Sequence, residues 1–521
     1  MGKGARALAR FANCAAFQCG LVAGFLTASA HAGVRLPNVF GDHMVLQREM
    51  PVPVWGWADP GEKVTVTFAE TTVEATANAT GRWTVKLPGL PASSEGRAMT
   101  VSGKNTLTFN DVLVGEVWLC GGQSNMESEM NWCSPEEGRT ASLPTFRRVK
   151  AEHILAPTPQ SDVKASWTIC DRGNANGFTA AGFYFARKLT QELKVPVGLL
   201  DTSWGGANIT FWIPGASYQG MPELRPQWEN ETAQAQAMTK TYLERLATWT
   251  TEARRSLETK DIICSRPPWM PERREFSHMF NGMVHPFAPY AIRGMLWYQG
   301  EYNANDGNYY FDEMRGLIQG WRDLWQQGDV PFYYVQLPNL DQPKDDPAGG
   351  DGWAFIRNVQ TSVLAITNTG MIVTIDIGEA GDIHPRNKLD VGERLGLWAL
   401  NKTYGRKVVC SSPFFKAMQV EGDKARINFR EVGGGLMVGK KTGRNLAVED
   451  KSSKLQRFAI AGADKKWFWA EAVIDGDTVV VSSPHVPQPV AVRYAYAMNP
   501  EGCNLYNRDG LPASPFRSDN W

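Results

Sequence analysis

The stretch Val112-Leu113-Val114-Gly115-Glu116-Val117-Trp118-Leu119-Cys120-Gly121-Gly122-Gln123-Ser124-Asn125-Met126 decides the fold. A mostly apolar run, Val112 to Cys120, closes in two glycines, and a serine follows two residues later. So short a run, bounded by glycine, predicts a buried strand of an α/β sheet. Glycine at its end lets the backbone turn sharply and leaves the next side chain at the sheet's carboxyl edge, where open α/β folds bind ligands. Ser124 is therefore a candidate nucleophile. Met126 stands where a Gly-x-Ser-x-Gly elbow has its second glycine, so the stretch is not that motif. Taken alone, Ser124 reads equally well as a helix cap through its hydroxyl.

Working outward, strand-like and helical segments alternate after Asp111. Val195–Ser203 ends in Trp204-Gly205-Gly206, and Ile292–Tyr298 ends in Gln299-Gly300-Glu301. Phe332–Leu337 and Met371–Ile377 supply further strands, and Ala180–Lys194 and Glu393–Tyr404 carry helical spacing. This alternation predicts a parallel, doubly wound α/β domain over residues 109–405. An insertion at about 218–274 holds Met238, Tyr242, Leu246, Trp249 and Ala253 at helical spacing, either as a helical hairpin over the site or as surface decoration. Period-2 runs punctuated by Pro60-Gly61 and Thr80-Gly81 predict a small β domain over 33–108, and such runs return over 406–521.

The chain has 521 residues, enough for two to four domains. Lys+Arg and Asp+Glu number 54 each, so the balanced charge gives no nucleic-acid footprint and no membrane-surface patch. Its 19 Trp, 14 Tyr and 23 Phe tilt the reading toward sugars, although tryptophan also fills β cores. Residues 1–32 read as a signal peptide: basic Lys3, Arg6 and Arg10, an apolar stretch from Phe11 to Ala28, and the cleavage site Ala30-His31-Ala32; a membrane anchor is the competing reading, weakened by Asn13 and Gln18 in the apolar stretch. Export to the periplasm or medium is expected, with no membrane association once the leader is removed. Without the leader six cysteines remain, with no Cys-x-x-Cys pair to suggest zinc; Cys120 is expected as a free core thiol. No metal or cofactor is expected, and the sequence leaves the oligomeric state open.

A serine nucleophile needs a base, and the base needs an orienting acid. His384, just past the last predicted strand in Asp382-Ile383-His384-Pro385, falls at the same sheet edge as Ser124, and Asp382 shares its loop. Acyl transfer also needs donors for an oxyanion. The Ser124 and Gly206 N–H groups and the Gln299 amide are the candidates. Each has a plain structural alternative: tight packing for the glycines, a satisfied buried amide for Gln299.

Gly122-Gln123-Ser124-Asn125-Met126, Ser203-Trp204-Gly205-Gly206, Trp297-Tyr298-Gln299-Gly300-Glu301 and Asp382-Ile383-His384-Pro385 resemble the sequence blocks of the sialate O-acetylesterase family, members of the SGNH hydrolases. Met44–Arg48, Asn504–Asn507 and Leu511-Pro512 extend the likeness over nearly the whole mature chain. The resemblance implies a flavodoxin-like three-layer α/β/α domain flanked by sandwich-like β regions, and metal-free hydrolysis of O-acetyl esters on sugars. It implies Ser124 as nucleophile, His384 as base and Asp382 as its partner, with Gln299 replacing the superfamily's usual asparagine donor. Glu301 is a rival to Asp382 for orienting the imidazole. Gln123, Asn125, Trp204 and Glu301 are the expected substrate contacts, and Trp297 a further candidate on the sugar side. An acetylxylan or other plant-polysaccharide esterase is the alternative substrate reading, and a non-catalytic carbohydrate-binding protein the alternative of another class.

Overall fold

The computed structural model describes residues 33–259, 266–269 and 275–521. The signal peptide expected over 1–32 lies outside the described residues, as does Cys264. The central sheet contains β1 (Thr106–Gly122), β2 (Leu143–Lys150), β3 (Trp167–Cys170), β4 (Val197–Asp201), β5 (Gly294–Tyr298), β6 (Phe332–Val335) and β7 (Thr369–Ile372). Their spatial order is β7-β6-β5-β1-β4-β2-β3. All neighbours pair parallel except β3, which runs antiparallel to β2. The sheet is thus mixed, not purely parallel as the alternation predicts. The edge pair β2 and β3 escapes a sequence reading because β2 carries Arg147, Arg148 and Lys150, whose charges are absorbed sideways. Arg147 pairs with Asp111, Arg148 with Asp201 and Lys150 with Glu127.

Strand alternation sorts the apolar side chains onto two faces. Trp118, Cys120, Leu199, Leu296 and Tyr333 belong to one buried cluster. Val117, Leu119, Leu200, Met295 and Phe332 belong to another. Helices α1 (Ala180–Leu193) and α4 (Lys388–Trp398) bury Phe183, Leu189, Val391 and Leu395 in the first cluster. Helices α2 (Tyr309–Trp325) and α3 (Gly352–Ser362) bury Met314, Leu317, Ile356 and Val359 in the second. Each such side chain contributes roughly 1.5–3 kcal/mol. Thr179 starts α1 by accepting from the Gly182 N–H, and Lys194 ends it in the left-handed region. Gly392 lets α4 approach α1, because a Cβ there would lie 2.5 Å from the Phe185 nitrogen.

Strand β1 belongs to two structures at once. Its start pairs antiparallel with Ser93–Ser102, Leu113–Gly115 pairs with Val45–Gln47, and Glu116 onward pairs with β4 and β5. The expected boundary at 108/109 falls inside this strand. Glu116, fully buried at the crossover, accepts from Gln47 at 3.0 Å and Arg293 at 2.9 Å and is bonded by Arg48.

The carboxyl-terminal region has its own core, with Ile427, Phe458, Val479, Tyr494 and Phe516, separate from the cluster shared by the amino-terminal strands and the central sheet. Fully buried Arg357 on α3 ties it down by donating to Pro338, Ala497 and Met498 carbonyls. Within the insertion, the described residues Arg225–Thr259 form one long helix, on which Ala253 is buried. The cysteines among the described residues are unpaired, with Cys120 fully buried.

Candidate active site

Strand β1 ends at Gly122, whose φ of +133 turns the chain directly into the short helix Ser124–Glu127. Ser124 thus emerges at the carboxyl edge of the central strand, flanked by the ends of β4 and β5. The Ser124 hydroxyl does not cap this helix, whose cap position is Gln123 with no side-chain cap bond; its Oγ lies 2.8 Å from His384 Nε2. Nδ1 of the same ring lies 3.6 Å from Asp382 Oδ1, and Asp382 also accepts the His384 backbone N–H at 2.8 Å. Partial burial and the nearby Lys388 ammonium lower the His384 pKa against the opposing pull of Asp382. The ring is therefore neutral at neutral pH, able to take a proton from Ser124.

The pair opens into a cleft of about 370 Å³ lined by Ser124, His384, Trp132, Glu127, Glu129 and Asn131. A larger hollow of about 580 Å³ lies beside the insertion helix, around Trp228 and Phe276, and shares no lining residue with this cleft. The chemistry selects the smaller one. Trp132 meets the His384 ring edge-on at 6.0 Å, with the Arg386 guanidinium 5.5 Å over its own ring.

Several expected contacts lie elsewhere. Gln299 is fully buried; its Nε2 donates to Asn303 at 2.5 Å and to the Ala207 carbonyl at 3.3 Å, and its Oε1 accepts from Tyr310. The amide is engaged within the core rather than presented as an oxyanion donor, because Asn303 and Tyr310 give it complete partners. Glu301 does not reach His384 but accepts from Asn125 Nδ2 at 2.5 Å. Asn125 is itself fully buried and bonded at both ends of its amide, so it faces no substrate. Gln123 is buried and accepts weakly from the Gly300 and Tyr302 N–H groups at 3.5 and 3.4 Å, bracing that loop instead of lining the cleft. Trp204 stacks on His153, 4.2 Å between centroids, outside the cleft wall. Trp297 packs between Trp212 and Trp321 in the core.

Glu127, Trp132 and Lys388 are the neighbours the sequence reading missed. Glu127 follows Ser124 by three residues, which puts both on one side of a helical turn. Its Oε2 accepts the Gly205 N–H at 2.7 Å, and its Oε1 meets His153 at 3.1 Å and Lys150 at 3.3 Å. A Cβ on Gly205 would lie 3.4 Å from that of Ser124, so the glycine turn rests against the nucleophile. Gly206 follows in the left-handed region, φ +63. Burial alone would raise the Glu127 pKa, but His153, Lys150 and the Gly205 N–H hold it down at about 2. A depressed carboxylate stabilises the fold above its unfolded value of 4.5 and loses that contribution as pH falls toward 2. Glu127→Gln should therefore cost on the order of 2 kcal/mol at pH 7. Urea midpoints of the two proteins should converge between pH 4.5 and 2; a gap that stays constant with pH contradicts this.

A serine bonded to a histidine, with an aspartate behind it, at the carboxyl ends of parallel strands is a site of the serine hydrolase class. A family profile described as carbohydrate esterase, sialic acid-specific acetylesterase, matches residues 264–398. The sialate O-acetylesterase of Mus musculus is 28% identical over 95% of this chain and 96% of its own length, and that of Homo sapiens 27% over 94% and 93%. A solved carbohydrate acetylesterase from Xanthomonas citri is 35% identical with a TM-score of 0.77, covering 94% of this chain and 100% of that one. The chain belongs to the sialate O-acetylesterase family of carbohydrate esterases.

Proposed function

We propose that this chain is an exported serine esterase that removes O-acetyl groups from sugars, with 9-O-acetylated sialic acid as its first substrate. The observation that carries the chemistry is the 2.8 Å contact between Ser124 Oγ and His384 Nε2. In this reading Ser124 Oγ attacks the acetyl carbonyl as His384 Nε2 takes its proton. Asp382 steadies the imidazolium, and the Ser124 and Gly206 N–H groups receive the oxyanion, worth about 3 kcal/mol per donor. The sugar hydroxyl leaves with the proton from His384. Water, deprotonated by the same nitrogen, then releases acetate and restores Ser124. A flavodoxin-like SGNH domain fits this scheme: taken in chain order, β1, β4, β5, β6 and β7 stand 2-1-3-4-5, and Ser124 lies where strand order reverses.

A second reading, deacetylation of a neutral polysaccharide such as acetylated xylan, has its own support. Glu127 and Glu129 line the cleft, and among the described residues the Glu129 carboxylate is met by the Asn131 amide and by no cation. An uncharged sugar escapes the repulsion a sugar carboxylate meets there. Acetate release from 9-O-acetylated sialic acid and from acetylated xylan, compared at equal enzyme, separates the two. Faster release from the sialic acid supports the first reading, and release from xylan alone overturns it.

A further inference from the structure

Behind the nucleophile lies a buried polar group that the reaction scheme leaves unused. Asn125, one residue past Ser124, has no exposed surface. Its Nδ2 donates to Glu301 Oε1 at 2.5 Å and to the Ile383 carbonyl at 3.0 Å, and its Oδ1 accepts from Lys388 Nζ at 2.8 Å. The same ammonium donates to the Pro385 carbonyl at 2.5 Å. Ile383 and Pro385 are the residues on either side of His384. The peptide carrying the base is thus gripped before and after its side chain by one asparagine and one lysine.

We propose that Asn125, clamped between Glu301 and Lys388, is the positioning residue that locks the His384 loop to the nucleophile's turn, so that base and hydroxyl stay in bonding register. This rests on the esterase reading and adds to it a support that touches no substrate. Lys388 is fully buried, and an ammonium removed from water is costly unless its hydrogen bonds are met. Its placement at the first turn of α4, where cations gain nothing from the helix dipole, makes a purely packing role a poor fit. Glu301 keeps a second buried oxygen, Oε2, that meets no hydrogen-bond donor among the described residues. An unsatisfied buried oxygen calls for an explanation, and the bond that the other oxygen takes from Asn125 supplies one. The arrangement also explains why the serine block continues into asparagine: the next side chain inward is the one able to reach both the β5 end and the histidine loop.

The charges around the clamp set a second readout. Lys388 faces Cys133, Glu301, Glu379 and Asp382, with the Tyr298 ring 5.8 Å away. His384 faces Asp382, Lys388 and Ser124. The Lys388 charge disfavours imidazolium, so its removal raises the His384 pKa. Steady-state hydrolysis of p-nitrophenyl acetate by full-length Asn125→Ala and Lys388→Met tests the proposal. Each is expected to lose about 100-fold in kcat, with KM within about threefold of the parent, as for an active-site misplacement near 1 Å. Lys388→Met should also move the acid limb of kcat/KM to higher pH. Folded variants with kcat within threefold of the parent and an unmoved acid limb overturn the proposal. If either variant fails to fold, Glu301→Ala and Glu301→Gln decide it. The glutamine keeps an acceptor for Asn125, so kcat at least tenfold above the alanine supports the clamp, and equal kcat in both rejects it. An inactive parent protein points instead to failure of the esterase reading itself.

Discussion

Ser124→Ala will lose at least about 10⁴-fold in turnover of an aryl acetate while keeping its fold. The substitution deletes one oxygen whose hydrogen-bond partner is the His384 imidazole, so the core and the loop clamp are untouched. No other hydroxyl lining the cleft substitutes for it: Ser128 Oγ donates to the Ser124 carbonyl at 2.7 Å, fixed into the helix turn. His384→Ala should fall nearly as far, since members of a nucleophile–base unit fail together and not additively. Retained turnover in a folded Ser124→Ala protein, judged by circular dichroism and melting temperature, would remove Ser124 as the nucleophile. It would also restore the rival view of a non-catalytic sugar-binding protein.

Gly122→Ala is the second large effect, and it strikes fold and activity together. A Cβ at Gly122 would stand 2.2 Å from the Tyr298 carbonyl oxygen and 2.8 Å from its carbon, backbone atoms that cannot swing aside. The φ of +133 is closed to L residues on its own account. Relief requires β1 and β5 to part at their ends, with the neighbouring Gln123 N–H bond to the Tyr298 carbonyl lost as well. A cost of about 3–5 kcal/mol is expected, read from the urea midpoint. Turnover should fall more than 100-fold even at temperatures where the variant is folded, because Ser124 moves relative to His384. A variant that melts within a few degrees of the parent and keeps its turnover would show that the turn is less constrained than its contacts indicate.

What was legible in the sequence follows from what sequence patterns measure. The apolar runs of β1, β4, β5, β6 and β7 stand out because both faces are buried, so burial leaves no polar positions to blur them. The serine was found because it follows β1 almost directly, and the histidine because its loop leaves the carboxyl end of β7, twelve residues past Ile372, so that connectivity implies the sheet edge for both. The charged strand β2 and its neighbour β3 were missed, since their arginines and lysine are neutralised by partners distant in sequence. Side-chain direction was the weaker inference. Gln299, Gln123, Asn125 and Glu301 sit at strand ends as expected, yet all four turn inward to hydrogen-bond one loop to another. A motif tells which residues meet at an edge, whereas which of them face the cleft depends on a few degrees of backbone rotation. Trp132 carried a faint signal, eight residues beyond the nucleophile, that nothing in the chain's periodicity separated from the other tryptophans.

The strand that carries Ser124 begins in a different sheet, and this has a mechanical meaning. Its 17 residues act as a beam anchored at both ends: at one in the amino-terminal β sheet, at the other in the nucleophile's turn. The amino-terminal sheet is therefore no detachable passenger. Cutting it away would unclothe the Thr106–Gly115 half of the beam and strip Arg48 and Gln47 from the buried Glu116 carboxylate, near the middle of the lever that aims the serine. The two sheets should melt in one transition, and natural variation in the first can tune reactivity in the second without a substitution anywhere near the cleft.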